Sequence, residues 1–129
     1  MQRNFFPEVE RLKSRSQIDQ LFKIGKSKRY GHIRVVWHEV NDNEAAYTPF
    51  KVAFSVPKRI FKKAVDRNRL KRQMREAFRL HKHCLYEPLT ENDKQLALMI
   101  VYISSDVKDY HIISDEISLC LKDIINKMK

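Results

Sequence analysis

Between Lys58 and Lys82 stand eleven lysines and arginines and only two acids, Asp66 and Glu76, a net of +9. The whole chain of 129 residues has 26 basic and 16 acidic residues, a net of +10. Everything outside this window is therefore close to neutral. The chemistry open to such a segment is anion recognition. Guanidinium forks bind phosphate in a bidentate way and stack on bases, and lysine ammonium groups act as point charges. A field this concentrated points to a polyanion, nucleic acid first.

The order of residues inside the window sharpens this. At 3.6 residues per turn, a helix over 66–83 places Leu70, Met74, Ala77 and Phe78 on one side. Asn68, Arg72, Arg75 and Arg79 fall opposite, flanked by Lys71, in a row roughly 17 Å long at about 1.5 Å per residue. Arg predominates within the helix, and Lys58, Lys62 and Lys63 lie in its approach. Arg67 and Arg69 occupy the first turn, where cations oppose the helix dipole. An anion docked at the helix N-terminus would offset that. Glu76 alone is placed to pair, with Arg72 or Arg79.

Other chemistries find less support. His81, His83 and Cys84 form an H-x-H-C cluster with no second ligand pair at zinc spacing. His32, His38 and His111 are scattered, and no carboxylate stands at a spacing that suggests an acid–base pair with them. Two glycines, Gly25 and Gly31, are too few for a Gly-rich phosphate loop. No protein-borne nuclease site is visible.

The elements that must position the basic helix follow from periodicity. Ser14 and Gln17 have capping-box spacing for a helix over 14–24, with Ile18, Leu21 and Phe22 on one stripe and Gly25 in a left-handed C-terminal position. Residues 32–40 read as a strand. The segment 41–49 reads as a polar turn, and 50–56 as a second strand, its hairpin partner, ended by Pro57. Asp66 is a plausible N-cap for the basic helix. Residues 87–93 read as a loop, and 95–104 as a strand apolar on both faces. Residues 111–128 read as a helix with Ile113, Ile117, Leu121, Ile124 and Met128 on one stripe. The expected order is α-β-β-α-β-α in one domain, 14–129, behind a loosely ordered extension, 1–13. The composition, 43% hydrophobic and 33% charged, suits a globular protein. No apolar run approaches a membrane span, and MQRNFFPEVER does not read as a signal peptide. Two well-separated cysteines, Cys84 and Cys120, fit a reducing compartment, so a cytoplasmic location is expected.

Residues 64–79, AVDRNRLKRQMREAFR, resemble the signature of the bacterial ribonuclease P protein subunit. That pattern is an Arg-Asn-Arg core, an apolar residue, Lys-Arg, two further residues, Arg, and a short run ending in Phe. Arg67, Asn68, Arg69, Leu70, Lys71, Arg72, Arg75 and Phe78 match it. FSVPKR at 54–59 resembles the strand end and basic turn that precede the signature. RLKSRSQIDQLFKIG at 11–25 resembles the family's first helix. The resemblance spans roughly residues 11–125.

The resemblance implies an α+β fold, a mixed β-sheet packed with helices, similar to a ribosomal-protein domain with a left-handed β-α-β crossover. It implies binding to a catalytic RNA subunit, in a ribonucleoprotein that removes the 5′ leader from precursor tRNA. The RNA carries the active site and its Mg²⁺ ions, and the protein supplies no catalytic residue. Arg67, Asn68, Arg69, Lys71, Arg72 and Arg75 take the catalytic-RNA role, with Arg79, Lys58 and Arg59 beside them. The first helix and the sheet face line a cleft for the single-stranded leader, which points to Ile18, Phe22, Lys51 and, among 35–37, Val36 or Trp37. Precursor tRNA and the catalytic RNA are the expected partners, with no membrane and no protein partner. The chain departs from the family at Ile18, commonly aromatic, and in Ile60-Phe61-Lys62-Lys63, one residue longer than usual. Its last helix has no long basic tail.

Two other readings share the basic helix. A ribosomal-type RNA-binding protein would show no preference for a precursor with a leader. A DNA-reading helix-turn-helix needs a preceding helix and tight turn, whereas a strand and Pro57 precede this helix.

Overall fold

A computed structural model describes residues 10–40, 49–91 and 94–128. Helix α1 (Arg15–Ile24) is followed by strands β1 (Lys26–Tyr30), β2 (Ile33–Val40) and β3 (Phe50–Ser55). Then come α2 (Ala64–His81), α3 (His83–Glu91), β4 (Gln95–Tyr102) and α4 (Tyr110–Met128). The four strands form one mixed sheet in the order β1-β2-β4-β3. β1 and β2 are antiparallel, as are β2 and β4, whereas β3 runs parallel to β4. The architecture is α+β, as expected, with α2 and α3 in the β3-to-β4 crossover.

β4 organises the sheet. Its residues from Leu96 to Ile100 are all buried, so it is covered on both faces, as its unbroken apolar run predicts. On one face Leu98, Ile100 and Tyr102 join Ile33, Val35, Trp37, Phe50 and Val52 beneath α2, α3 and α4. On the other, Ala97 and Met99 join Val36 and Leu21, with Ile18 packed against them from α1.

Several elements differ from the sequence reading. β1, KSKRY, has four exposed residues and buries only Tyr30. It is an edge strand without alternation, and lysine is common on such edges. β3 is not the hairpin partner of β2, because β1 and β4 occupy both sides of β2. α3 replaces the expected loop despite Pro88 inside it. Leu85 and Leu89, one turn apart and fully buried, contribute about 1.5–3 kcal/mol each, enough to outweigh a helix-interior proline of about 3 kcal/mol.

Gly25 is extended (φ −71°, ψ 155°), not left-handed, while its N–H still donates to the Leu21 carbonyl. A Cβ there would lie 2.3 Å from that oxygen, so close approach is what requires glycine. Gly31 does take the left-handed conformation, φ 65°, in the β1–β2 turn. There the Glu116 carboxylate accepts from the His32 backbone N–H (2.9 Å) and lies 2.8 Å from His32 Nδ1. The apolar stripe of α4 is buried as read at Ile113, Ile117, Leu121 and Ile124. The Met128 side chain and residues 41–48 lie outside the described residues.

Residues 10–13, assigned above to a loose extension, are built into the fold, while 1–9 lie outside the described residues. Leu12 is buried and its N–H donates to the Val52 carbonyl at 2.9 Å. Arg11 bridges to Val52 in parallel register. Glu10 accepts from Lys82 Nζ at 2.7 Å and from the Tyr86 hydroxyl, with Lys82 fully buried at the α2–α3 junction.

Glu10→Ala removes the carboxylate paired with the buried Lys82 ammonium, so stability is expected to fall by about 3 kcal/mol, read from urea unfolding midpoints. A second expectation concerns acid. Hydrogen bonds from Tyr30 and then Lys28 hold the Asp123 carboxyl below its usual range. The stability this gives is present above the unfolded value, about 3.9. It is lost as pH falls through the lower folded value. Asp123→Asn should therefore be less stable than the parent at neutral pH, with the deficit closing under acid titration.

Candidate nucleic-acid interface

α2 divides as its sequence predicts. Leu70, Met74, Ala77 and Phe78 are buried, with Phe78 edge-on to Phe50 and Phe54. Asn68, Arg69, Arg72 and Arg75 are exposed, and Lys71 and Arg79 half-buried. Hydrophobic anchoring on one side thus holds a straight cationic row on the other.

The row is not uniform. Glu76 pairs with Arg79 through Nε at 3.0 Å and through a second guanidinium nitrogen. That hydrogen bond lowers the Glu76 carboxyl and raises the Arg79 guanidinium. Arg79 is therefore partly neutralised. Asn68, Arg69, Arg72 and Arg75 make up the rest of the exposed row.

Arg67 also has partners within the protein. Its Nη1 donates to the carbonyls of Phe61 and Lys62, both at 2.8 Å. α2 begins at Ala64 after Lys63, which supplies no side-chain cap, so Asp66 is not the N-cap. The Arg67 guanidinium instead ties the incoming chain to the helix start. Lys58 and Arg59 are exposed in the turn before it, which is closed by the N–H groups of Ile60 and Phe61 on the Pro57 carbonyl.

Arg75 leans toward β3, its guanidinium carbon 6.0 Å from the Phe54 ring centre. Burial, then the neighbouring Arg11 and Arg72 cations, lower its proton affinity. Arg11 therefore joins the row from outside the helix. Sequence reading passed it over, although alternation was available as a signal: in an extended segment, buried Leu12 implies that Arg11 and Lys13 point elsewhere.

The sheet face under α1 carries the second group of candidates. Ser27, Val36, Met99 and Ala53 share one row across the four strands. α1 packs Leu21 and Ile18 on it through Val36 and Met99. Val36 and Ile18 are thus at the α1–sheet contact, and Phe22 is 55% exposed at its margin. Lys51 lies on the same face, in the flanking row with His38 and Ala97. Trp37 does not belong to this group. Strand alternation sends it to the opposite face, where it is buried in the helix-side core with Lys127 Nζ 5.3 Å from its ring centre.

Among the described residues no three His, Cys, Asp or Glu side chains converge on a point that could hold a metal ion, and none of the described helices is long and apolar enough to cross a membrane.

A sequence model of the family described as Ribonuclease P matches residues 6–127. A ribonuclease P protein component of Porphyromonas gingivalis is 38% identical over 101 residues, covering 78% of this chain and 72% of the relative. One from Chlorobaculum tepidum is 35% identical over 104 residues, covering 77% and 68%. Among solved structures, a Staphylococcus aureus RNase P protein mutant superposes with TM-score 0.69 at 23% identity, covering 91% of this chain and 89% of that one. The RNase P protein from Thermotoga maritima gives 0.66 at 22%, covering 93% and 98%. At these identities the structural likeness speaks for the fold.

The two kinds of arginine separate by experiment. Arg72→Ala with Arg75→Ala should leave the unfolding midpoint nearly unchanged and weaken binding to structured RNA, with a shallower salt dependence by about two phosphate contacts. Arg67→Ala should cost on the order of 1–2 kcal/mol of stability, because two carbonyls lose a charged donor.

Proposed function

The chain belongs to the ribonuclease P protein family and is the protein subunit of the endoribonuclease that matures tRNA 5′ ends; within that role we propose that α2 docks the catalytic RNA and that the sheet face beside α1 guides the precursor's leader. The observation that carries this reading is the split of α2. A fully buried apolar side fixes the helix, and its opposite side offers Asn68, Arg72 and Arg75 to solvent in one line, with Arg69 exposed beside them. Phosphates along a folded RNA are the ligand that a line of bidentate cations fits.

The division of labour follows from side-chain chemistry. Arg72, Arg75, Arg69, Asn68 and Lys71 bind and orient RNA, joined by Arg11, with Lys58 and Arg59 at the bend from β3 into α2. Arg67 positions the helix start and contributes charge from behind. No protein group is assigned to proton transfer, and Mg²⁺ is assigned to the RNA, as the family resemblance implies. Ile18 and the exposed ring of Phe22 offer apolar contact to leader bases, and a ring such as Phe22 stacks for about 1–3 kcal/mol per base. Lys51 supplies a cation near them. Free thiols at Cys84 and Cys120 support a cytoplasmic location.

Reconstitution tests this. The protein with its catalytic RNA should cleave precursor tRNA at low Mg²⁺, and the protein alone should not. Affinity of the complex should rise with leader length for precursor and fall steeply with salt, by about 10³-fold between 50 and 200 mM if some six phosphates are neutralised. Cleavage by the protein alone, or equal affinity for precursor and mature tRNA, overturns the assignment.

A further inference from the structure

We infer that Arg29 and Arg34 form an outer phosphate-binding step on the floor of the leader cleft, distal to Lys58 and Arg59; this rests on the leader-guiding role proposed above. The register places Arg29 opposite Arg34, Arg34 opposite Val101, and Val101 opposite Ser55. These four residues make a single row across the sheet. Strand alternation puts that row on the α1 side, since Ile33 and Val35 on either side of Arg34 are buried on the helix side. It is the next same-face row beyond Ser27, Val36, Met99 and Ala53, on which α1 sits.

One end of the row continues directly into function. Ser55 leads through Val56 and Pro57 to the exposed Lys58–Arg59 turn at the approach to α2. The other end, about 14 Å away across three strand spacings, carries the two guanidiniums. Both are exposed, and among the described residues neither has an ion-pair partner. Arg34 Nη1 instead donates to Ser27 Oγ at 3.1 Å, and Arg29 Nε donates to the Gly31 carbonyl at 2.8 Å. The side chains are thus oriented by neutral acceptors with their charge uncompensated. Like charges directly opposite on a sheet destabilise it, and a bridging anion removes that penalty. Edge protection alone would be met by the lysines of β1. Two arginines on the inner face, aligned with the Lys58–Arg59 turn, fit a single strand of RNA running from that turn to the sheet edge.

The placement gives a length signature. Reconstituted enzyme carrying Arg29→Gln with Arg34→Gln should bind precursor tRNA bearing a leader of about ten nucleotides roughly 5- to 30-fold more weakly than the parent, as two phosphate contacts are lost. A precursor with a leader of about two nucleotides, and the catalytic RNA alone, should bind the variant and the parent alike. An unfolding midpoint equal to or above the parent's is expected, because the like-charge pair is gone. If the parent favours the long leader and the variant keeps that preference in full, the outer step is wrong while the cleft stands. If the variant weakens both leaders equally, the arginines contact other RNA and the inference also fails. If the parent itself shows no leader dependence, the cleft reading falls with it.

Discussion

The central strand β4 is buried on both faces, and the two covers it receives are unequal. On one side three helices close over the sheet, from Tyr30 at the β1 edge to Phe50 and Val52 on β3. On the other the cover, among the described residues, is α1 with Leu12 beside it. Its ten residues span about 15 Å, and its buried contact is confined to Val36, Ala97 and Met99 with Leu12. A helix that short cannot roof a four-stranded sheet, and among the described residues Arg34, Lys51 and Ser55 in the rows to either side are exposed or half-buried. A cleft beside α1 is therefore what remains when one apolar face is sealed and the other only pinned. It needs no device of its own.

Charge follows the same asymmetry. Three of the six acids with ion pairs among the described residues serve the helix layer: Glu10 on Lys82, Glu116 on the Gly31–His32 turn, and Asp123 on Tyr30 and Lys28. Glu76 tempers only the far end of the α2 row. What is left over, on α2 and along the row that ends at Arg34 and Arg29, is positive. The ion pairs of the described residues thus leave Arg69, Arg72 and Arg75 on α2, and Arg29 and Arg34 on the sheet, unneutralised. That also explains why a charge count found α2 but not the sheet: β1 and β2 contribute too few cations to register until the register aligns them.

Legibility from sequence tracked how strongly local pattern agreed with tertiary burial. α2, β4 and α4 have long, unambiguous periodicities and were readable with their faces. β1 buries one residue in five and α3 contains a proline, so each depends on neighbours that no local pattern announces. The pairing of β3 was misread because hairpin proximity is a prior about chain distance, whereas a crossover through two helices satisfies the buried edge of β4 better. Trp37 and Val36 show the same limit at the site. Adjacent strand residues face opposite ways, and only the register decides which one faces α1. Arg67 matched the signature, yet its guanidinium binds backbone carbonyls. A motif reports which residues recur together and is silent on which of them hold the others in place.

Three consecutive residues join the two surfaces. Glu10 reaches the α2–α3 junction, Arg11 lies beside Arg75 at the α2 row, and Leu12 enters the core under α1. Their backbone is fastened to the edge of β3 by the Leu12–Val52 hydrogen bond. A segment tied at all three points cannot shift toward one surface without pulling on the others, because an ion pair buried in protein tolerates little displacement before its desolvation is uncompensated. The proposed RNA face on α2 and the proposed cleft beside α1 are accordingly tied together by the same short segment. The buried charge pair, of doubtful net value to stability in itself, is better understood as the fastener that sets this geometry.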